Sequence, residues 1–205
     1  MQSDWDASAE AWIEGLRTVG DFSRTAVLDR QMLAAVRATA AHSVLGVGCG
    51  EGRFCQMMAE FVPQVAGLDP TKRLLKEARA LGRGKLRAEI GTEIGVKYVE
   101  DRAVALPFAA MKFDLMVSYL SLIDIADSRA ALDESVRVLR PGGHLLIGNL
   151  NSWTTAVQNM GHCMMRSQQG QRTITIANYL TEHCGWAKWY GLRVKTGTAC
   201  CRNTF

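Results

Sequence analysis

The chain has 205 residues, of which 48% are hydrophobic and 21% charged, and its formal net charge is +4. These values exclude a disordered or strongly basic chain and are typical of one globular domain with a buried core. No apolar run reaches the roughly 18 residues of a membrane span, and the acidic start MQSDWDASAE is unlike a secretory signal. Six scattered cysteines without a C-x-x-C pair favour reduced thiols, so we expect a cytoplasmic protein with no membrane partner.

Two helices are predicted ahead of the first strand. Apolar residues recur near helical spacing in residues 4–18 and again in residues 28–36, and the sequence GDFSR at 20–24 predicts a turn between them. Most of these apolar residues favour packing against a sheet. Arg24 is the exception, since it is either an exposed surface arginine or a partner for a ligand carboxylate.

A strand, a tight turn and a helix are predicted around residues 43–61. The strand Ser43–Val47 leads into glycines at every second position, namely Gly46, Gly48, Gly50 and Gly52. Glycines let a backbone approach a ligand closely, and the following helix offers free N–H groups and a positive dipole end. The dinucleotide pattern G-x-G-x-x-G fails because its third glycine would fall at Arg53. A glycine-rich turn without a ligand is the alternative interpretation.

The following residues alternate between strand and helix patterns, which predicts a parallel, doubly wound α/β sheet. Strands are predicted at 64–68, 96–99, 113–118 and 144–149, and a helix capped by Ser128 is predicted to end at Pro141-Gly142-Gly143. Residues 83–95 predict a loop, whose basic stretch RGKLR favours a solvated surface over a nucleic-acid patch. After residue 150 the pattern weakens, with candidate strands at 173–176 and ending at Val194.

Three motifs resemble those of class I S-adenosylmethionine-dependent methyltransferases. They are the G-x-G-x-G turn with Glu51-Gly52, then Leu106-Pro107-Phe108 ahead of strand four, then Val138 to Gly143 ahead of strand five. The resemblance covers about residues 43–150. It implies a Rossmann-like fold flanked by helices, with S-adenosylmethionine as the cofactor. We interpret residues 1–205 as one domain, with a helical lid (1–40), a cofactor-binding core (41–150) and a variable C-terminal cap (151–205).

Ligands of open parallel sheets bind at the carboxyl ends of the strands, which sorts the candidate residues. His42 and His144 precede strands and fall on the opposite edge. Asp69 ends strand two, where it could accept both ribose hydroxyls or cap the next helix. The resemblance places the adenine contact at Asp101 and Ala103, although Arg102 occupies the position of the usual family carboxylate. The predicted cofactor-binding residues are Arg24, Gly48, Cys49, Gly50, Glu51, Gly52, Asp69, Pro70, Asp101, Arg102, Ala103 and Tyr119.

Two features depart from the family pattern. Gly46 stands where the family has an acidic residue that helps to hold the methionine amino group, and Glu51 is the candidate to replace it. The family also completes its sheet with two further strands, and no clear apolar pair follows residue 150. The domain is then either incomplete at its end or borrows strands from a partner, which would make a homodimer through the C-terminal sheet edge.

Methyl transfer from a sulfonium mostly needs alignment and exclusion of water, and a base only where the acceptor loses a proton. Asp124, after strand four, is the predicted catalytic base, with a helix-start or ion-pair role as the alternative; His162 and His183 are further candidates. No metal-ligand spacing is present. Residues 118–121, SYLS, lack the Asp/Asn-Pro-Pro-aromatic motif of nucleic-acid amino methyltransferases, so a small-molecule hydroxyl or amine acceptor is expected. The rival hypotheses are a catalytically silent cofactor-binding scaffold and a nicotinamide-dependent oxidoreductase.

Overall fold

The computed structural model describes residues 4–18, 21–82, 95–149, 166–168, 171–173, 183–189 and 192–198. Its helical segments are α1 (Asp4–Thr18), a π-helix (Ser23–Leu28), α2 (Asp29–Ala38), α3 (Arg53–Ala59), α4 (Lys72–Gly82), a 3-10 turn (Leu122–Asp124) and α5 (Ser128–Val138). Its strands are β1 (Ser43–Val47), β2 (Gln64–Asp69), β3 (Val96–Glu100), β4 (Phe113–Tyr119), β5 (Leu139–Gly148), β6 (Arg166–Gln168), β7 (Gln171–Thr173), β8 (His183–Trp189) and β9 (Leu192–Thr198). The chain divides into two compact units, Met1–Gly148 and Asn149–Phe205.

The first unit contains a five-stranded parallel sheet in the order β3-β2-β1-β4-β5. Every residue of β1 is buried, as expected for a parallel strand covered on both faces. The predicted doubly wound α/β fold is therefore confirmed. The chain order reverses on either side of β1, so a crevice is expected where β1 and β4 end.

The sheet separates two hydrophobic cores because side chains alternate along its strands. Val44, Leu115 and Val117 belong to the core that includes α2 and α3. Leu45 and Met116 belong to the other core, which includes α5. Both faces of the central strands are thus fixed by packing, which holds the residues at the strand ends in place.

Helix α1 packs on α4 through a small hydrophobic cluster. Ala9, Trp12 and Ile13 of α1 are buried there with Leu74 of α4. Ion pairs surround the cluster, joining Arg73 to Glu10 and Glu77, and Arg17 to Glu77. The predicted N-terminal helix therefore exists and is anchored to the helix that follows β2.

The predicted turn at residues 20–24 differs from what the structure shows. Asp21 and Phe22 lead directly into the π-helix Ser23–Leu28, which continues without a break into α2. The side chain of Asp21 accepts a hydrogen bond from the backbone N–H of Arg24 at 3.0 Å. This polar sequence resembles a turn, but the backbone N–H of Arg24 finds its partner in the Asp21 side chain at the start of a helix.

The boundaries of α5 and β5 also differ from the predicted ones. The helix begins at Ser128 but is capped by Asp127, whose Oδ1 accepts from the backbone N–H of Ala130 at 2.9 Å. It ends at Val138, and β5 begins at once with Leu139 paired to Phe113. Strand β5 continues through Gly143, where a Cβ would approach Asp114 O to 3.0 Å. The helix thus ends before the predicted terminator Pro141-Gly142-Gly143, and these three residues lie inside the strand.

The second unit contains two antiparallel pairs, β6 with β7 and β8 with β9. The predicted strand ending at Val194 is instead a pair, because β8 ends at Trp189 and β9 starts at Leu192. Within the described ranges, these pairs form sheets of their own, and β3 and β5 are the two edge strands of the five-stranded sheet. His162 and most of the predicted loop at 83–95 lie outside the described residues.

No helix in the described ranges is both long enough and apolar enough to cross a bilayer.

Candidate active site

A cavity of about 880 Å³, including its open mouth, lies where β1, β2 and β4 end. The turn after β1 and the end of β2 form one side, and the residues after β4 form another. Trp5 and Trp12 of α1 and Arg24 of the π-helix also line it. The cavity therefore lies at the edge of the sheet where the sequence predicts a ligand to bind.

The glycine turn exposes backbone to this cavity. Gly48 and Gly50 have φ angles of +64° and +57°, a left-handed conformation that favours glycine. A Cβ at Gly48 would clash with Ser121, whereas one at Gly50 would meet nothing within 4 Å. Gly52, at φ +78°, differs from the other two because it packs against Tyr98 and Ala78 and does not line the cavity.

Asp69 connects the end of β2 to the glycine turn. Its Oδ2 accepts a hydrogen bond from the backbone N–H of Gly50 at 2.9 Å, and its Oδ1 accepts from that of Thr71 at 2.8 Å. The residue is 6% exposed, and burial raises the pKa of its carboxyl in spite of these two bonds. Pro70 beside it also lines the cavity. The structure thus brings Asp69 and the glycine turn together, as the sequence predicts.

Trp12, Arg24 and Glu51 form a further part of the cavity wall. Trp12 Nε1 donates a hydrogen bond to Glu51 Oε2 at 3.1 Å. The Arg24 guanidinium lies 5.2 Å from the ring centre of Trp12 and 5.6 Å from that of Tyr119. Helix α1 and the π-helix are therefore linked to the turn after β1 by a buried hydrogen bond and by aromatic contacts.

Tyr119 is held in the cavity wall by a buried polar network that the sequence did not reveal. Its hydroxyl donates to Asp29 Oδ1 at 3.0 Å, and Arg53 donates to both oxygens of Asp29 at 2.7 and 2.9 Å. Burial and the Asp29 carboxylate raise the pKa of the Tyr119 hydroxyl. Phe54 packs edge-on against the same ring, 4.7 Å away. Tyr119 is therefore a fixed, neutral wall of the cavity.

Two thiols occupy the floor of the cavity. A Cβ added to Gly46 would lie 2.7 Å from Cys55 Sγ and 3.9 Å from Cys49 Cβ. A hydrogen bond with Cys55 and burial raise the pKa of Cys49, so its thiol stays protonated. In the described part of the chain, no group of three or more His, Cys, Asp or Glu residues is arranged to hold a metal ion.

Asp124 ends the 3-10 turn after β4 and lines the cavity. The residue as a whole is exposed, yet desolvation of its carboxyl raises the pKa to about 6. A hydrogen bond from the Trp5 side chain and the charge of Arg24 lower the pKa and only partly offset that effect. The carboxyl therefore changes its charge near neutral pH, as a general base requires.

The predicted adenine contacts are not brought into the cavity wall. Asp101 accepts a hydrogen bond from the backbone N–H of Arg102 at 2.8 Å within their own loop. Ala103 is buried in a hydrophobic core with Leu106 and Phe108. None of Asp101, Arg102 and Ala103 is among the described residues that line the cavity. Their role stays a prediction.

Comparisons with known proteins agree with this arrangement. The chain is 34% identical over 124 residues to the O-methyltransferase resE of Aspergillus sclerotiorum, covering 60% of this chain and 45% of that one. It is 31% identical over 165 residues to the methyltransferase GfsG of Streptomyces halstedii, covering 77% and 57%. A crystal structure of an S-adenosylmethionine-dependent methyltransferase from Mesorhizobium loti matches with a TM-score of 0.57 and 27% identity, covering 74% of this chain and 66% of that one.

The chain thus spans about half the length of the curated relatives it matches. The match to the family model extends from the middle of β1 to the end of β5 and includes the glycine turn, Asp69 and Asp124. Because the model of the methyltransferase domain matches residues 45–147, half of the sequence, the chain belongs to that methyltransferase family.

Proposed function

We propose that this protein is an S-adenosylmethionine-dependent methyltransferase that modifies a hydroxyl or amine of a small molecule. One observation carries the proposal: a single cavity brings together an exposed glycine backbone, a buried carboxylate at the end of β2 and a carboxyl of raised pKa after β4. The similarity to resE, named an O-methyltransferase, supports a hydroxyl acceptor.

The cavity suits the cofactor that the family implies. S-adenosylmethionine carries a sulfonium, an ammonium and a carboxylate, so its net charge is positive. Three carboxyl groups line the cavity, from Glu51, Asp69 and Asp124, against the one guanidinium of Arg24 in the lining that the structure describes. The open space beside Gly50 lets a ligand approach the backbone directly. When bound, the cofactor supplies a methyl group on an activated sulfur.

Asp69 and the glycine turn would hold the nucleoside end. A buried carboxylate is stabilised by hydroxyl donors, and a ribose offers two such donors. Asp69 already has backbone donors at Gly50 and Thr71, which fix the orientation of its carboxyl plane. The residue would therefore present a rigid acceptor to the sugar.

Asp124 would take the proton of the acceptor on a carboxylate oxygen. Trp5 and Tyr119 line the same cavity and would exclude water from the reacting atoms. Alignment of the acceptor between these walls would supply most of the acceleration, with Asp124 adding to it for acceptors that must lose a proton.

A cytoplasmic location, which the free thiols of Cys49 and Cys55 favour, is part of the same proposal.

The proposal is tested first by binding and then by turnover. Calorimetry with S-adenosylmethionine, S-adenosylhomocysteine and a nicotinamide dinucleotide should show binding of the first two only. Purified protein incubated with methyl-labelled cofactor and a panel of phenols and amines should transfer the label to at least one acceptor. Binding of the dinucleotide alone would contradict the cofactor assignment. Binding of S-adenosylmethionine without transfer to any acceptor would favour a silent binding protein.

A further inference from the structure

Among the residues that the structure describes, one carboxylate in the cavity wall accepts a hydrogen bond on only one of its two oxygens. Glu51 is 6% exposed, and its Oε2 accepts from Trp12 Nε1 at 3.1 Å. Its Oε1 lies 3.9 Å from Arg24 Nη1, which is too long for a hydrogen bond. A buried carboxylate needs paired charge and hydrogen bonds to offset its lost hydration. The Oε1 atom is therefore the side of Glu51 that suits a donor carrying positive charge.

Arg24 does not supply the whole of that charge. Its Nε lies 3.0 Å from Asp21 Oδ2, so the guanidinium is shared between two carboxylates. The same guanidinium packs against the rings of Trp12 and Tyr119. One guanidinium is thus shared by two carboxylates, of which Glu51 lines the cavity, and a cation bound in the cavity would add the positive charge that Glu51 lacks.

The other cavity groups are less suited to receive a cation at this position. Both oxygens of Asp69 already accept backbone hydrogen bonds. Gly46 carries no side chain, and a larger residue there would meet Cys55 Sγ at 2.7 Å. The thiols of Cys49 and Cys55 lie beneath the glycine turn, and that of Cys49 stays protonated. Of the two carboxylates beside the glycine turn, Glu51 and Asp69, Glu51 is therefore the one with an oxygen that accepts no hydrogen bond from the described residues.

We propose that Glu51 binds the α-ammonium group of the cofactor's methionine moiety, with Arg24 facing the α-carboxylate. The proposal rests on the proposed function, since it concerns the same cofactor. An amino acid bears its ammonium and its carboxylate on the same carbon. The charged groups of Glu51 and Arg24 lie 3.9 Å apart, so they can offer an opposite charge to each of these two groups. Glu51 then supplies the carboxylate for the methionine amino group, which Gly46 cannot supply because it has no side chain.

The test compares two ligands that differ only in the amino group. These are S-adenosylhomocysteine and its deamino analogue, with hydrogen in place of the amine, each titrated calorimetrically into the full chain. The wild type should bind the amine-bearing ligand about tenfold or more tightly, as expected for one charge-assisted hydrogen bond. Glu51→Gln should reduce that ratio to about twofold or less while leaving the affinity for the deamino analogue nearly unchanged.

Asp124→Asn is the matched control, because it removes a different carboxylate from the same cavity. It should keep the wild-type ratio between the two ligands, and loss of the ratio in this variant alone would assign the ammonium to Asp124. An equal weakening of both ligands by Glu51→Gln would show a structural role and overturn the proposal, as would a wild type that does not discriminate between them. Wild-type protein that binds neither these ligands nor methylthioadenosine would contradict the proposed function itself.

Discussion

The Asp124 carboxyl is close to the boundary between its two protonation states, because desolvation raises its pKa to about 6. Above that pH it is ionised and can accept the proton of a hydroxyl, and below it cannot. We expect kcat/KM of the wild type to fall on the acid side of this pKa. Asp124→Asn should lower kcat/KM by about a hundredfold to ten-thousandfold and remove that acid limb. The pH profiles of kcat/KM for the two proteins check this.

The raised pKa of Asp124 also makes the free energy of unfolding depend on pH. The ordinary pKa of the carboxyl is 3.8, and in the folded protein it is about 6, so between these values the folded state binds more protons. The free energy of unfolding therefore falls as pH rises through this window. Asp124→Asn should melt at a higher temperature than the wild type at neutral pH and show little difference near pH 3.8. A lower melting temperature at neutral pH would contradict the assignment.

Two neighbouring glycines should respond differently to the same substitution. Gly50→Ala strains a left-handed residue but meets open space, so it should destabilise by about 1–2 kcal/mol. Gly48→Ala adds a clash with Ser121 and should destabilise by about 2–5 kcal/mol. Gly50→Ala should nevertheless weaken cofactor binding, because its methyl group enters the cavity.

Urea unfolding and calorimetry separate these two effects. Gly15→Ala, in α1 with nothing within 4 Å of the new Cβ, serves as the control and should stabilise by about 0.5–1 kcal/mol. Equal losses of stability for the Gly48 and Gly50 variants would contradict the packing described for this turn.

The cavity residues that sequence reasoning found in the core share one property: they lie at the carboxyl end of a strand or within a few residues after it. Asp69, Gly48 and Asp124 could be placed on one edge because parallel strands end on the same side of a sheet. The network of Asp29, Arg53 and Tyr119 could not, since its hydrogen bonds join residues 24 and 90 positions apart, and no local spacing signals them. Such pairs are determined by the packing of α2 against α3 and β4.

Helix α1 is anchored to α4 by charged side chains, which makes its attachment sensitive to charge. Arg17 lowers the pKa of Glu77 below its ordinary value of 4.5. The stabilisation that this ion pair gives to the folded state is therefore present above pH 4.5 and is lost as the pH falls through the lowered pKa. Glu77→Gln should increase amide hydrogen exchange in α1 by up to about fivefold at neutral pH, while leaving β1 and β4 unchanged.

Mass-spectrometric hydrogen exchange of both proteins measures this effect, and added salt should narrow the difference between them. Glu60→Gln, a substitution at an exposed residue just after α3, is the matched control and should leave α1 unchanged. Faster exchange throughout the sheet would mean that Glu77 stabilises the fold in general and not α1 in particular.

The α-helices and strands of the parallel sheet were predictable from periodicity. The π-helix at Ser23–Leu28 and the boundary between α5 and β5 were not. A π-helix differs from an α-helix by one hydrogen-bond register, and composition carries no signal for it. The strand β5 was predicted from His144 because Pro141-Gly142-Gly143 is a helix terminator. The sequence does not show that β4 offers a partner for Leu139 immediately after the helix. Pairing across the sheet thus overrides the local signal.

For the protein as a whole, the edge of the main sheet is the feature with consequences for assembly. Strand β5 pairs with β4 on one side and is one of the two edge strands within the described ranges, and its Ile147 is 40% exposed. Unpaired strand edges favour association of like chains. We expect concentration-dependent dimers that Ile147→Lys converts to monomers, as measured by sedimentation velocity. Unchanged dimers in that variant would exclude this edge, and a monomeric wild type would exclude the homodimer.

The hydrogen bond from Trp12 to Glu51 should make the fluorescence of the Trp12 indole sensitive to what occupies the cavity. Its ring also packs edge-on against Trp5, 5.4 Å away, and against the Arg24 guanidinium. Any occupant that draws Glu51 or Arg24 towards itself changes the electric field across this indole and therefore its emission spectrum. Intrinsic fluorescence would then let unlabelled libraries be screened for compounds that enter the cavity, before a single acceptor is known.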